Sequence, residues 1–293
     1  MINIIVALPC EARPLINALR LQKRVDINAF SFYSNKKNNE RGKENGKDMM
    51  NLMVSGPGKL AAATATAYLQ GLQHNQPAAA WLNVGIAGSS AFNVGDIVLA
   101  HRVIDSVTHK HFYPGLCFEL PCVTADVVSV ETPETQYQEP AVYEMEAAGF
   151  YSAAMRFAPS EVIHCMKVIS DNHEQSIEMI DEKVVAELIT QHLPEIQQVI
   201  ASLNTLADEL SAINTSPSPY ESIIARWHFT VSQQQQLKNL LWRWKALSTQ
   251  SITDSVDFTQ CKHGKDILHS IEAHLVSFPV HFHRNEKTKS TLA

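Results

Sequence analysis

The chain has 293 residues, 45% of them hydrophobic and 18% charged, a composition that supports a buried core and excludes wholesale disorder. Its length allows one large domain, or one domain with an appendage. The net charge of −6 is uneven, since residues 1–210 hold fifteen Lys/Arg against twenty-four Asp/Glu while residues 211–293 hold nine against six. An acidic main body argues against a nucleic-acid surface there, because phosphate binding needs clustered positive charge, and leaves one open for the basic tail alone.

No apolar run approaches the ~18 residues that span a bilayer, and the first residues carry no basic segment before a cleavage site. The five cysteines are scattered, with one left over and no Cys-x-x-Cys pair, which fits a reducing cytoplasm. From the start, residues 2–8 read as a buried strand and 10–21 as a helix, with Leu15, Ile16 and Leu19 at helical spacing. Residues 29–33 and 49–54 read as strands. Between them, residues 34–48 (SNKKNNERGKENGKD) cannot bury apolar surface and are expected to form a solvated hairpin tip. Ser55-Gly-Pro-Gly-Lys59 punctuates the chain before an Ala-rich helix over 60–72.

Strands are expected at 78–84, 96–104, 141–145 and 162–169, with a glycine-rich turn at 85–90 and a helix over 146–157. Ile177, Ile180, Val184 and Leu188, then Ile196, Val199, Ile200 and Leu203 beyond Pro194, mark a closing helix or broken pair. Alternating strands and helices predict an α/β fold, a mixed central sheet flanked by helices. The polar, proline-bearing stretch 214–219 sets a boundary between a first domain over 1–210 and a small helical module over 220–293. In that module Ser232 and Gln235 suggest a capping box, and Leu237, Leu240, Leu241, Trp244 and Leu247 one apolar face. Residues 266–276 repeat the pattern. About 75 residues are marginal alone, so the module is expected to dock on the main body.

Several separated pieces could carry chemistry. Ala7-Leu-Pro-Cys-Glu11 puts a carboxylate at a strand-to-helix turn. Ser55-Gly-Pro-Gly-Lys59 and Asn83-Val-Gly-Ile-Ala-Gly88 follow, then Val94-Gly-Asp-Ile-Val98, Glu144-Met-Glu-Ala147 and Val168-Ile-Ser-Asp171. In this order and context they resemble the purine nucleoside phosphorylase and nucleosidase superfamily, above all its methylthioadenosine/S-adenosylhomocysteine nucleosidase-like hydrolytic branch, over about residues 1–210.

The resemblance implies an N-ribosyl hydrolase acting on a purine nucleoside or a related metabolite, without a cofactor or metal, in a homodimer or larger assembly. Cleaving such a bond passes through an oxocarbenium-like sugar. It needs an acid for the leaving base, groups that grip the ribose and a positioned nucleophile. By resemblance Asp171 gives a proton to the purine N7, Glu146 accepts the ribose hydroxyls, Met145 packs against the sugar and Glu11 is general base for a water. Ile86, Gly88 and Ser170 would line the same pocket. The plainer readings are that Asp171 caps a helix from Glu174 onward, that Met145 is core, and that Glu146 is a first-turn helix residue. Glu144 is expected to face the opposite side of its strand, by the period of two.

Glu11 stands where the phosphorylases bring a phosphate-gripping arginine, and Asn83 where the hexameric ones carry another. Both favour water as nucleophile. Arg13 is either a solvated helix residue or, with a small shift in register, a phosphate arm. The chain departs from the nucleosidases at Ile86, where serine or threonine is common, at Lys167, which replaces an arginine, and at residues 122–138, which lack the adenine-stacking phenylalanine motif. These departures put methylthioadenosine itself in doubt as substrate. His109, His111 and His173 are irregularly spaced for a metal site. Trp227, Trp242 and Trp244 with Arg226, Arg243 and Lys245 could stack nucleic acid, though a packed core explains them better. The rivals to hydrolysis are a phosphate-dependent phosphorylase and a catalytically weak nucleoside-binding or regulatory protein.

Overall fold

The computed structural model describes residues 1–35, 49–73, 79–137, 139–175, 180–214, 217 and 219–276. Apart from Ser34 and Asn35, the expected hairpin tip at 34–48 lies outside the described residues. The chain forms two compact units, Met1–Ile213 and Asn214–Ala293.

Unit 1 is built on one mixed sheet. Strand β1 (Ile2–Val6) is buried along its whole length, as its apolar run, broken only by Asn3, requires of a strand covered on both faces. It pairs in parallel with β4 (Met50–Val54) and with β5 (Ala80–Ser89). The edge beyond β4 is finished by β3 (Ser31–Ser34) and β2 (Gln22–Lys23), both antiparallel. On the other side, β5 pairs in parallel with β10 (Ile163–Asp171) and antiparallel with β9 (Val142–Glu144). Strand β10 pairs with β6 (Ile97–Asp105), β6 with β8 (Val123–Ser129), and β8 with β9. These five strands therefore close into a barrel-like ring through β5, with the short β7 (His111–Phe112) added to β6.

The helices in chain order are α1 (Pro9–Ala18), α2 (Lys59–Leu72), α3 (Ala147–Ala154), α4 (Glu182–Gln191) and α5 (Leu193–Asn214). In α2 the small residues Ala62 and Ala65, with Leu69, are buried, the spacing of one helix face. Helix α4 starts at Asp181, whose side chain accepts the backbone N–H groups of Lys183 and Val184. Pro194 is the second residue of α5, where its missing N–H costs nothing.

The expected turn at 85–90 is instead strand. β5 runs unbroken to Ser89, because Gly85 and Gly88 serve close side-chain approaches and not chain reversal. Strand β8 was not expected, and its burial alternates, as on a half-covered face.

Unit 2 contains α6 (Tyr220–Arg226), α7 (Val231–Leu247), α8 (Ile252–Ser255) and α9 (Gly264–Val276). They enclose their own core, with Leu237, Leu241, Trp244, Ile267 and Ile271 buried. The capping box lies two residues earlier than Ser232 and Gln235. The Thr230 hydroxyl accepts the Gln233 N–H, and the Gln233 side chain accepts that of Thr230. Leu247 is 44% exposed and stands outside the apolar face.

Candidate active site

The C-terminal ends of the parallel strands β1, β4, β5 and β10 face one cavity of about 140 Å³. The ends of parallel strands are where open α/β sheets place ligand groups. Glu11, Ile86, Gly88, Met145, Glu146, Ser170 and Asp171 all line it. Residues far apart in sequence are thus brought to one place. Glu134 and Glu144 also reach the cavity, and among the described residues no Arg or Lys lines it.

Glu11 is the third residue of α1 and is 2% exposed. Its Oε2 accepts the backbone N–H groups of Ala7 (2.9 Å) and Leu8 (2.8 Å), and its Oε1 accepts that of Ile86 (3.0 Å). The bond from Leu8 is the carboxylate half of a capping box. The bond from Ile86 ties α1 to β5. An ionised carboxylate has about four acceptor positions, so one on Oε1 stays open. Burial pushes the Glu11 carboxyl above its ordinary range, opposed by the charge of Lys167 and by the three N–H groups.

Lys167 is the cation of the site, fully buried on β10 opposite Gly85. Its Nζ lies 2.8 Å from Glu144 Oε2 and 3.9 Å from Glu146 Oε2. A Cβ on Gly85 would come within 2.8 Å of Glu11 Oε1 and 3.4 Å of Lys167 Nζ. The missing side chain therefore lets these two groups share one space. Burial works against the ammonium, but Glu144 and Glu146 more than compensate and hold it protonated.

Glu144 does not face away from the site. Residues two apart lie on one face of a strand, so Glu144 and Glu146 both line the cavity. Its Oε2 accepts the N–H groups of Glu146 (2.9 Å) and Ala147 (2.8 Å) and the Lys167 ammonium, while Oε1 accepts the Ser129 hydroxyl. It serves as the anion at the start of α3, where the helix dipole favours negative charge. Glu146 is left for the cavity. Its Oε1 accepts the N–H of Gly58 at 2.8 Å, which ties the Gly-Pro-Gly turn to the site. Burial, with Glu144 nearby, pushes its carboxyl up to about 7 against the pull of Lys167.

Asp171 ends β10 and caps no helix; it is 2% exposed. A bulge between Ile169 and Asp171 sets Asp171 opposite Gly88 and leaves Ser170 as the extra residue. A bulge re-aims side chains in this way, and here it lets two consecutive residues reach one cavity. The Ser170 hydroxyl reaches Asp171 Oδ1 and also the Ala87 carbonyl (3.2 Å). The hydroxyl of Tyr137 donates to Asp171 Oδ2.

The other candidates lie elsewhere. Arg13 is exposed on α1 and does not line the cavity. Asn83 is core: its Nδ2 donates to the Ile5 carbonyl at 3.0 Å, joining β5 to β1. His173 is exposed and packs edge-on against Tyr137. Among the described residues, no three His, Cys, Asp or Glu side chains are grouped to hold a metal ion, and no helix is long and apolar enough to cross a membrane. Tyr137 gave no signal in the sequence, since a lone tyrosine in a polar loop belongs to no motif.

The sequence matches no family model and no curated protein. The structure is similar to solved nucleosidases. A 5′-methylthioadenosine/S-adenosylhomocysteine nucleosidase from Helicobacter pylori aligns with a TM-score of 0.53 at 12% identity, over 69% of this chain and 97% of that one. The 5′-methylthioadenosine nucleosidase of Arabidopsis thaliana aligns at 0.54 and 16%, over 69% and 95%. The futalosine hydrolase of Helicobacter pylori aligns at 0.53 and 13%, over 69% and 97%. This chain shares their fold, the mixed sheet and helices expected from its sequence.

Proposed function

We propose that the chain is an N-ribosyl hydrolase that cleaves the glycosidic bond of a purine nucleoside or a related metabolite. The observation that carries this reading is the meeting of Glu11, Glu146 and Asp171, from three distant segments, at one cavity that no Arg or Lys lines among the described residues. The fold shared with nucleosidases supports it.

The roles of Glu11 and Glu146 follow from their open acceptor positions. Glu11 Oε1 keeps one open acceptor position toward the cavity, so it takes a proton from an attacking water. Burial raises its pKa, which makes the carboxylate a stronger base. Glu146 spends one acceptor position on Gly58, and its others suit a pair of ribose hydroxyls. Asp171 delivers a proton to the leaving base from the end of β10. Met145 and Ile86 supply apolar wall.

Hydrolysis is favoured over phosphorolysis by charge. A phosphate dianion would meet several carboxylates, while Lys167 is already paired with Glu144. Arg13, the cation that sequence left open as a phosphate arm, points to solvent. The same reading carries a homodimer in the cytoplasm. A monomer with full activity, seen by light scattering at micromolar concentration, would count against the assembly.

The test is a nucleoside panel assayed for free-base release with and without phosphate. Release of base and free ribose in phosphate-free buffer, unchanged by added phosphate, is the expected result. Glu11→Gln should slow it by roughly 10²-fold or more. A strict phosphate requirement, with ribose 1-phosphate as product, would overturn the assignment.

A further inference from the structure

The proton-donating carboxylate is already engaged in the structure. Asp171 Oδ2 accepts the Tyr137 hydroxyl, at the oxygen that a leaving base would need. The same ring covers the floor of that place. A Cβ on Gly88 would lie 2.6 Å from the Tyr137 hydroxyl and 2.7 Å from its Cε1, so the ring rests directly on the glycine that lines the cavity beside Asp171. Strand register makes the location specific. Gly88 is flanked by Asp171 on β10 and by Tyr143 on β9, and Tyr137 fills the space above all three, with its ring 6.0 Å from that of Tyr143.

Two further observations concern space and backbone. The cavity that remains, about 140 Å³, is well below the ~300–1,000 Å³ of pockets that hold drug-sized ligands. Tyr137 has a backbone φ of +40°, which bulky residues seldom adopt and which is found where surrounding structure enforces it. The Ser90 hydroxyl donates to its carbonyl at 3.0 Å, which holds the backbone at this position. Burial, and then the bond to Asp171, push the phenol above its ordinary range, so it remains a donor.

We propose that Tyr137 is a resident occupant of the base slot, and that substrate enters by exchanging its base for the tyrosine ring on Gly88 and Asp171. This rests on the nucleoside reading of the cavity and adds a selection step to it. A ligand must bring a flat ring that lies on Gly88 and a nitrogen that bonds Asp171, because only such a ligand replaces what Tyr137 gives up. A free sugar replaces neither and leaves the ring in place.

The experiment measures binding of adenine, hypoxanthine and adenosine to the full chain by calorimetry, in the wild type and in Tyr137→Phe and Tyr137→Ala. Phenylalanine keeps the ring between Tyr143 and His173 and removes only the bond to Asp171; alanine empties the slot. A hydrogen bond to a charged group corresponds to roughly 10- to 100-fold in affinity. Tyr137→Phe should therefore bind the best of the three probes tighter by about that factor, and Tyr137→Ala should also bind tighter than the wild type. In wild-type chain carrying 3-fluorotyrosine, the resonance that Tyr137→Phe removes should shift when the probe binds, and ribose should not move it. Equal or weaker binding by Tyr137→Phe, or an unmoved resonance, overturns the exchange and leaves the nucleoside reading standing. Absence of binding by the wild type and both variants overturns the nucleoside reading, and the base slot with it.

Discussion

Lys167→Met would expose how the carboxylates of the site are held together. The Lys167 side chain is 1% exposed, with its Nζ 2.8 Å from Glu144 and 3.9 Å from Glu146. Its charge also opposes the burial cost at Glu11. Removing one partner of a buried ion pair usually costs about 3–5 kcal/mol, because the other charge stays buried and unpaired. Against a typical total of about 5–15 kcal/mol, that is a large share of the stability. Glu144 keeps the N–H groups of Glu146 and Ala147, which places the expectation at the lower end, about 3 kcal/mol at pH 8. The loss should depend on pH with a definite sign. Glu11 and Glu146 have pKa values raised by burial, and without the ammonium they rise further. Groups with raised pKa contribute most below their unfolded value and lose that contribution as pH rises through the folded one. The deficit of Lys167→Met should therefore be largest at pH 8 and shrink toward pH 5. Hydrogen exchange resolved by peptide, read on β5 and β10, reports the opening free energy of this unit alone. The double variant Lys167→Met/Glu144→Gln should recover part of the loss, since it removes both charges. A deficit below about 1 kcal/mol at pH 8, or one equal at pH 5 and pH 8, would refute the view that Lys167 balances the site.

Asp171→Asn should keep the fold and lose most turnover, by ~10²–10⁴-fold on the best substrate; unchanged turnover removes Asp171 from the chemistry. Two buried groups pull stability in opposite directions with pH. His164 is lowered to about 4 by burial, so it costs stability as pH falls below its unfolded value, whereas Glu146, raised to about 7, costs stability as pH rises toward neutral. Glu146→Gln should accordingly steepen the gain in stability between pH 4 and 7, and a denaturant midpoint series over that range would show no change if the carboxyl were not raised. In unit 2, Thr230→Ala removes the hydroxyl that accepts the Gln233 N–H and should cost about 1 kcal/mol. Exchange protection in α7 should fall with α2 unaffected, and an intact α7 would mean the cap contributes nothing.

The alternation of strand and helix was legible because burial is periodic. β1 read as an apolar run and α2 as an Ala-rich helix, and each is covered as its pattern requires. What escaped was topology set by partners distant in sequence. Closure of the ring depends on β8, whose half-polar sequence looks like loop until β6 and β9 flank it. Gly85 and Gly88 looked like a turn because glycine marks turns in sequence. Their actual reason, room for Glu11, Lys167, Asp171 and Tyr137, becomes visible only once the strands are paired.

The site divides along the same line. Glu11, Glu146 and Asp171 could be picked out because each stands beside a strand end within a recognisable motif, and the cavity gathers them. Glu144 was assigned to the wrong face because the alternation was misapplied: residues two apart share a strand face, and Glu144 and Glu146 both reach the cavity. Lys167 read as a substitution of one cation for another, yet its consequence is local. An ammonium concentrates its charge at one point, whereas a guanidinium could fork between two carboxylates, and here that point lies closest to Glu144. Glu146 is thereby left with only partial compensation, which is why its carboxyl remains raised. Neutral pH then falls within the titration of the group proposed to grip the ribose, so an acceptor for two hydroxyls is fully formed only on the alkaline side. The identity of one buried cation thus links the packing of β10 to the pH at which the site can hold a sugar.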